Sequence, residues 1–234
     1  MKQPQTAGHR ERASAPSIFG ALRLPVLLLV PAAALGTLSR APGWTRTDLR
    51  LDEMVQTVRT PWLTVIARGL DLAFSTMAAI CLIALLAAVL IAVGRGRTAV
   101  VTASVIAAGW GANSIFKAVV ARPRPPLDHQ LVLQYGHDSY PSGHVSITVS
   151  MVMALGVLAY GSRWFRPVVI VGVVLVTAQA LARLYLGVHY PSDVIGSLLV
   201  APAGALTVIA LWRRCLARSP GDGQEHSAAT EGSR

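Results

Sequence analysis

The 234-residue chain is 53% hydrophobic and only 14% charged, where an average soluble domain carries roughly a quarter charged residues. With a positive mean hydropathy, this balance excludes an ordinary soluble domain and points to one compact bundle of membrane helices. The net charge of +10 would suggest nucleic acid on a soluble protein; here topology explains much of it, since Lys and Arg favour the cytoplasmic side of a membrane protein, and no nucleic-acid partner is expected.

The predicted fold is all-α: a polytopic bundle of six transmembrane helices with both termini cytoplasmic. A basic segment (1–17) comes first. The first apolar span, 18–38, is the weakest, interrupted by Arg23, Pro25 and Pro31. Arg23 can snorkel to the interface. The small residues Ala32, Ala33 and Ala34 after an apolar run also resemble a secretory signal. Cleavage there would leave five spans without changing the orientation of the rest; retention is the reading adopted. The next connection, 39–71, holds Pro61, Trp62 and an apolar stretch, 63–67, suited to a short interfacial helix. Further spans are read at 72–93, 98–120, 144–160, 167–187 and 194–212. All but the fourth of the six, 144–160, and the interrupted first approach the ~20 residues that cross a bilayer. The six spans form one domain, 18–213, followed by a disordered cytoplasmic tail, 214–234. Cys81 and Cys215 show no ligand spacing, so neither a disulfide nor a zinc site is expected.

Charge orients the bundle. Lys2, Arg10 and Arg12 precede the first span, Arg95 and Arg97 follow the second, Arg163 and Arg166 follow the fourth, and Arg213, Arg214 and Arg218 follow the sixth. Six crossings put all four groups on one side, which the positive-inside rule makes cytoplasmic. Connections 39–71, 121–143 and 188–193 then face outward.

Three polar clusters sit at the outward ends of spans. In the first, Lys117 ends an apolar helix, and Arg122 and Arg124 follow between prolines. Arg offers a planar fork to two phosphate oxygens and Lys a compact charge; taken alone, snorkelling beside a kinked loop explains them equally well. In the second, Tyr140–Pro141–Ser142–Gly143–His144 opens a helix. Gly143 permits close backbone approach, the helix N-terminus favours an anion, and His144 can pass a proton; alone, this is an ordinary cap with an interfacial histidine. In the third, Arg183 ends a helix, Pro191 suits a first helical turn, and Asp193 falls near His189. A carboxylate on one ring nitrogen leaves the other free to attack. A salt bridge of Arg183 with Asp193 would explain those two residues but not His189.

These residues resemble the type 2 phosphatidic acid phosphatase family, whose signature has three parts. Lys, six residues, then Arg-Pro appears as Lys117, Arg124 and Pro125. Pro-Ser-Gly-His appears as Pro141 to His144. Ser-Arg, five residues, His, three residues, Asp appears as Arg183, His189 and Asp193, with Ala182 where the family usually has Ser. The resemblance implies a lipid phosphatase of the cell membrane, with its site on the extracytoplasmic side. Lys117, Arg124, Ser142, Gly143 and Arg183 would hold phosphate. His189 would attack phosphorus, Asp193 would orient it, and His144 would protonate the leaving group. No carboxylate cluster looks like a metal cage, so no metal or other cofactor is expected, and activity should survive a chelator. Arg122, Asp128, His129, His137 and Asp138 lie outside the signature as modulators of substrate binding or pH response.

Membrane lipids surround the protein and a lipid phosphate is the expected substrate: polyprenyl diphosphate by preference, then phosphatidate or phosphatidylglycerophosphate. Two other readings stay open. The same histidine could pass phosphate to an alcohol, making a phosphotransferase. The clusters could instead merely capture an anionic lipid, which explains the cations but not His144, His189 and Asp193.

Overall fold

A computed structural model describes residues 18–218. The basic segment expected at 1–17 and the tail beyond 218 lie outside the described residues. Within them the chain is all-helical, without a strand: α1 (Ile18–Leu38), α2 (Pro42–Gln56), α3 (Pro61–Ala73), α4 (Thr76–Ala92), α5 (Gly96–Val120), a 3₁₀ turn (Leu127–His129), α6 (Gly143–Ala159), α7 (Phe165–Tyr185) and α8 (Pro191–Arg218).

The helix ends follow local chemistry. Pro42, Pro61 and Pro191 open α2, α3 and α8, where the missing N–H has no intrahelical partner to lose. Ser75 caps α4 by accepting from the Ala78 N–H at 3.4 Å. α5 stops where Ala121 turns left-handed, with φ 46°, and the pre-proline Arg122 disfavours further helix.

Among the described residues, four helices are long and apolar enough to cross a membrane: α1 (from Gly20), α5, α7 and α8 (to Cys215). α3 and α4 qualify together as a fifth span, bent by 57° at the break between them. α6, where the sequence predicts its short fourth span, is apolar but only 17 residues long. The expected second span, 72–93, is divided: Leu72 belongs to α3, and α4 starts at Thr76. The connection 39–71 holds two helices where one short helix was expected. Residues 214–218 continue α8 and are not part of a disordered tail.

α8 is the hub, packed on α1, α5 and α6, while α5 also meets α4. Lipid tails are as apolar as leucine, so membrane helices associate by close packing more than by apolar burial. The α5–α8 contact shows this: a Cβ on Gly204 would stand 2.4 Å from the Ala108 carbonyl oxygen. Val105, Ile106, Ile147 and Ala205 fill the core nearby. Outward, Leu27, Val30, Leu85, Val119, Ile170 and Val173 are exposed, a surface suited to acyl chains rather than water. At the end of the bundle that carries the polar clusters, α3 packs on α7, and α2 touches α7 and α8. Arg59 joins them by donating to the carbonyls of Tyr185 (3.0 Å) and His129 (2.7 Å).

Candidate active site

The three clusters, far apart in sequence, converge on one cavity of about 370 Å³ lined by Lys117, Arg124, Gly143, His144 and His189 among others. Tyr140 helps to fix the loop that leads into α6. Its hydroxyl donates to the Ala32 carbonyl of α1, and its ring lies so near α8 that a Cβ on Gly196 would stand 2.4 Å from it. On the other side of Tyr140–Pro141, the Ser142 N–H donates to the Asp193 carbonyl at 3.2 Å. The second and third clusters are therefore bonded directly to each other.

His189 sits between the end of α7 and the start of α8 and is buried. Its Nδ1 lies 3.4 Å from Asp193 Oδ2, and its Nε2 lies 3.3 Å from Arg124 Nη1, towards the cavity. Burial first, then the positive charges of Arg124, Arg183 and Lys117, hold its pKa well below the ordinary imidazole value. The ring is therefore neutral near pH 7 and keeps a nitrogen lone pair.

Asp193 is enclosed by donors. Its Oδ2 accepts from Ser139 Oγ and from the Tyr190 N–H (2.9 Å), and its Oδ1 accepts from Arg122 Nη1 at 2.7 Å. Arg122 is itself buried and lies over the Tyr190 ring at 4.0 Å. It reaches Asp48 of α2 through Nη2 at 2.8 Å and Ser192 through Nη1 at 2.7 Å. Arg122, expected from sequence as a modulator of substrate binding or pH response, braces Asp193 in the fold and does not line the cavity.

The remaining cations also have counter-ions. Arg183 Nη1 donates to Asp71 Oδ1, near the end of α3. The same carboxylate oxygen stands 3.2 Å from His144 Nε2. Lys117 donates to the Asp138 carbonyl and lies 3.5 Å from its Oδ2, while Arg124 Nε donates to Asp138 Oδ1 at 2.9 Å. Burial works to raise the Asp138 carboxyl, but the Arg124 hydrogen bond and the Lys117 charge outweigh it and hold it below the usual range. Asp138 thus spans two of the three cations expected to hold phosphate.

Several donors around the cavity have no partner within the protein: Ser142 Oγ, Arg183 Nε and Nη2, and Asn113 Nδ2. The first N–H groups of α6 likewise have no intrahelical acceptor. Buried donors left unpaired are costly, and these are of the kind that suits an anion. Among the described residues, no group of three or more His, Cys, Asp and Glu is arranged to hold a metal ion. Ala182 does not line the cavity; it packs with Ala67, Tyr185, Leu186 and Val188. His129 and Asp128 lie on the 3₁₀ turn, away from the lining. Ser139, Asp48 and Asp71 were not foreseen, because partners from other elements leave no spacing signal.

The profile of the PAP2 superfamily matches residues 97–216, just over half of the chain. The chain belongs to the PAP2 superfamily. Among curated PAP2-like relatives, YbjG of Escherichia coli (strain K12), a candidate undecaprenyl-diphosphatase, is 37% identical over 76 residues, 32% of this chain and 36% of that protein. The undecaprenyl-diphosphatase BcrC of Bacillus subtilis (strain 168) is 32% identical over 97 residues, 40% of this chain and 47% of BcrC. The matches thus span between a third and a half of those relatives. Two crystal structures share the fold at 20% identity. The PAP2 type phosphatidylglycerolphosphate phosphatase of Bacillus subtilis matches at a TM-score of 0.71, over 84% of this chain and 98% of its own. LpxE of Aquifex aeolicus matches at 0.55, over 70% and 94%. This PAP2 chain is a multi-pass membrane protein.

Proposed function

We propose that this protein is a membrane phosphatase that hydrolyses a lipid phosphate or diphosphate at the outer face of the membrane through a phosphohistidine. The observation that carries the reading is the His189 ring, with Nδ1 on Asp193 and Nε2 beside Arg124 at the cavity. Lys117, Arg124, Arg183, Ser142 and the Gly143 N–H hold the phosphate oxygens, where fixed charges stabilise the spread negative charge of the transition state. His189 Nε2 forms a bond to phosphorus as the bond to the leaving oxygen breaks, and His144 gives that oxygen a proton. Water then attacks the phosphohistidine, His144 takes its proton, and the nitrogen–phosphorus bond breaks to release phosphate.

Topology completes the proposal. α1, the bent α3–α4 pair, α5, α6, α7 and α8 make six crossings with both termini cytoplasmic, supported by the Arg-rich connections at one end. The site then lies at the outer end of α5 and α7. A polyprenyl diphosphate is the preferred substrate, supported by the names of YbjG and BcrC; phosphatidate and phosphatidylglycerophosphate are the other members of the class.

The test is phosphate release by purified protein in detergent with excess EDTA, from undecaprenyl diphosphate, phosphatidate and phosphatidylglycerophosphate. Wild type should release phosphate from at least one, and His189→Ala should lose at least about 10³-fold in kcat, the scale seen when a nucleophile is removed. Rapid quenching with labelled substrate should leave acid-labile, alkali-stable label on the protein. Turnover that survives His189→Ala would reject the reading.

A further inference from the structure

The cavity contains one buried donor that the signature does not name. Asn113 lies one turn before Lys117 on α5 and is 1% exposed. Its Oδ1 accepts from Ser146 Oγ of α6 at 2.8 Å. That bond orients the amide and leaves Nδ2 without a partner in the protein. The free end points to Gly143: a Cβ there would lie 4.0 Å from Asn113 Nδ2 and 3.7 Å from Lys117 Cε. Asn113 is thus set beside the phosphate cradle, and it lines the same cavity. Keeping an amide dry and half-unpaired inside a span is unfavourable unless a ligand meets it.

Depth indicates which part of a ligand does so. Four residues along a helix are ~6 Å, so Asn113 lies about one turn deeper in the membrane than Lys117. The cavity also has an apolar wall of Phe74, Ala79, Trp110 and Ile147, and Trp110 lies about one further turn along α5. A lipid whose terminal phosphate rests among Lys117, Arg124 and Gly143 must run past Asn113 to reach that wall. For a diphosphate, the group at that level is the inner phosphate.

We propose that Asn113 is a specificity-determining residue whose Nδ2 donates to the inner phosphate of a lipid diphosphate. The assignment rests on the hydrolase reading above and deepens it. A neutral donor at this place stabilises the charge that the inner phosphate gains as it departs, while holding the product less tightly than a fixed cation would. A monophosphate ester presents no oxyanion there, so the contact favours diphosphates.

The test is binding, which needs no turnover. Affinities of a non-hydrolysable prenyl methylenediphosphonate and of the matching prenyl phosphonate are measured on purified wild type, Asn113→Ala, Asn113→Leu and Ser146→Ala. The Asn113 variants should lose about 10- to 100-fold for the diphosphonate, the size of one hydrogen bond to a charged group. They should lose less than about threefold for the monophosphonate. Ser146→Ala, which keeps the amide but frees its orientation, should fall between wild type and Asn113→Ala with the same preference. Equal losses on both ligands, or none on either, would overturn the assignment. Should Asn113→Leu not fold, the smaller Asn113→Ala and the distal Ser146→Ala decide it. Hydrolysis of the natural lipids is read in parallel: wild type that binds both analogues but releases no phosphate rejects the hydrolase reading alone, while the affinity ratios still judge Asn113.

Discussion

His189, the proposed nucleophile, is kept neutral by its surroundings, and the sign of that effect is measurable. Its folded pKa lies below the unfolded value of about 6.5. As pH falls below about 6.5 the unfolded chain gains a proton that the folded chain refuses, so folding stability falls. Thermal melts between pH 7 and 5 should show this loss in wild type and less of it in His189→Ala. Asp138 carries a second prediction. Its carboxylate spans Lys117 and Arg124 and stays ionised, so an incoming phosphate must displace it. Asp138→Asn should lower the inhibition constant for vanadate or inorganic phosphate by about two- to fivefold, the scale of half-exposed ion pairs, with His189-dependent turnover retained. Arg122 carries a third. Removing one partner of a buried pair costs about 3–5 kcal/mol, so Arg122→Ala should melt early. Arg122→Lys keeps the charge but cannot fork between Asp48 and Asp193; it should fold and show a lower kcat with little change in KM. That the three clusters carrying Lys117, Arg124, Ser142, Gly143, His144, Arg183, His189 and Asp193 come together was legible, because each sits at the end of a helix and the signature ties them to one another. Their counter-ions were not. Asp48, Asp71 and Ser139 are single polar residues in unrelated segments, and only the fold brings them near.

Elements account for most of the difference between sequence and structure. The apolar periods gave away α1, α5, α7 and α8, whose lengths match a bilayer. The break between α3 and α4 is hidden in the sequence, because Leu72, Ala73 and Phe74 run directly into the apolar helix that follows and Ser75 alone marks the new start. That break puts Asp71 beside both Arg183 and His144. Asp71→Ala should therefore reduce kcat/KM by about 10- to 100-fold, as expected for loss of a charged hydrogen bond, while Leu72→Ala, exposed one residue on, should leave it unchanged. α2 offers a stability test of its own. Asp52 is buried with Oδ2 on Gln56 and Oδ1 unpartnered. Burial pushes its pKa up to about 7, against the Gln56 hydrogen bond and the Arg59 charge. A raised carboxyl pKa means that stability falls as pH rises from about 4 to about 7. Asp52→Asn should remove that decline, so its melting temperature should gain on wild type at pH 8 and not at pH 4.

At the scale of the whole molecule, the proposed orientation has a direct readout. In a cysteine-less background, Tyr135→Cys in the 121–142 connection should react with a membrane-impermeant maleimide on intact cells. Ser162→Cys, between α6 and α7, should react only after permeabilisation; both positions are exposed. The reverse pattern would put the site inside. The brace behind Asp193 has a further consequence, for modularity. The family match begins at residue 97, yet Asp48 and Asp71, which neutralise Arg122 and Arg183, come from the half before it. The signature half is therefore not a cassette. A chimera that grafts another N-terminal half onto residues 97–216 would inherit every signature residue, yet Arg183 would lose its carboxylate and Arg122 would keep only Asp193, unless the donor brings carboxylates to the same two places. Divergence in the unmatched half can thus retune the chemistry of an unchanged signature.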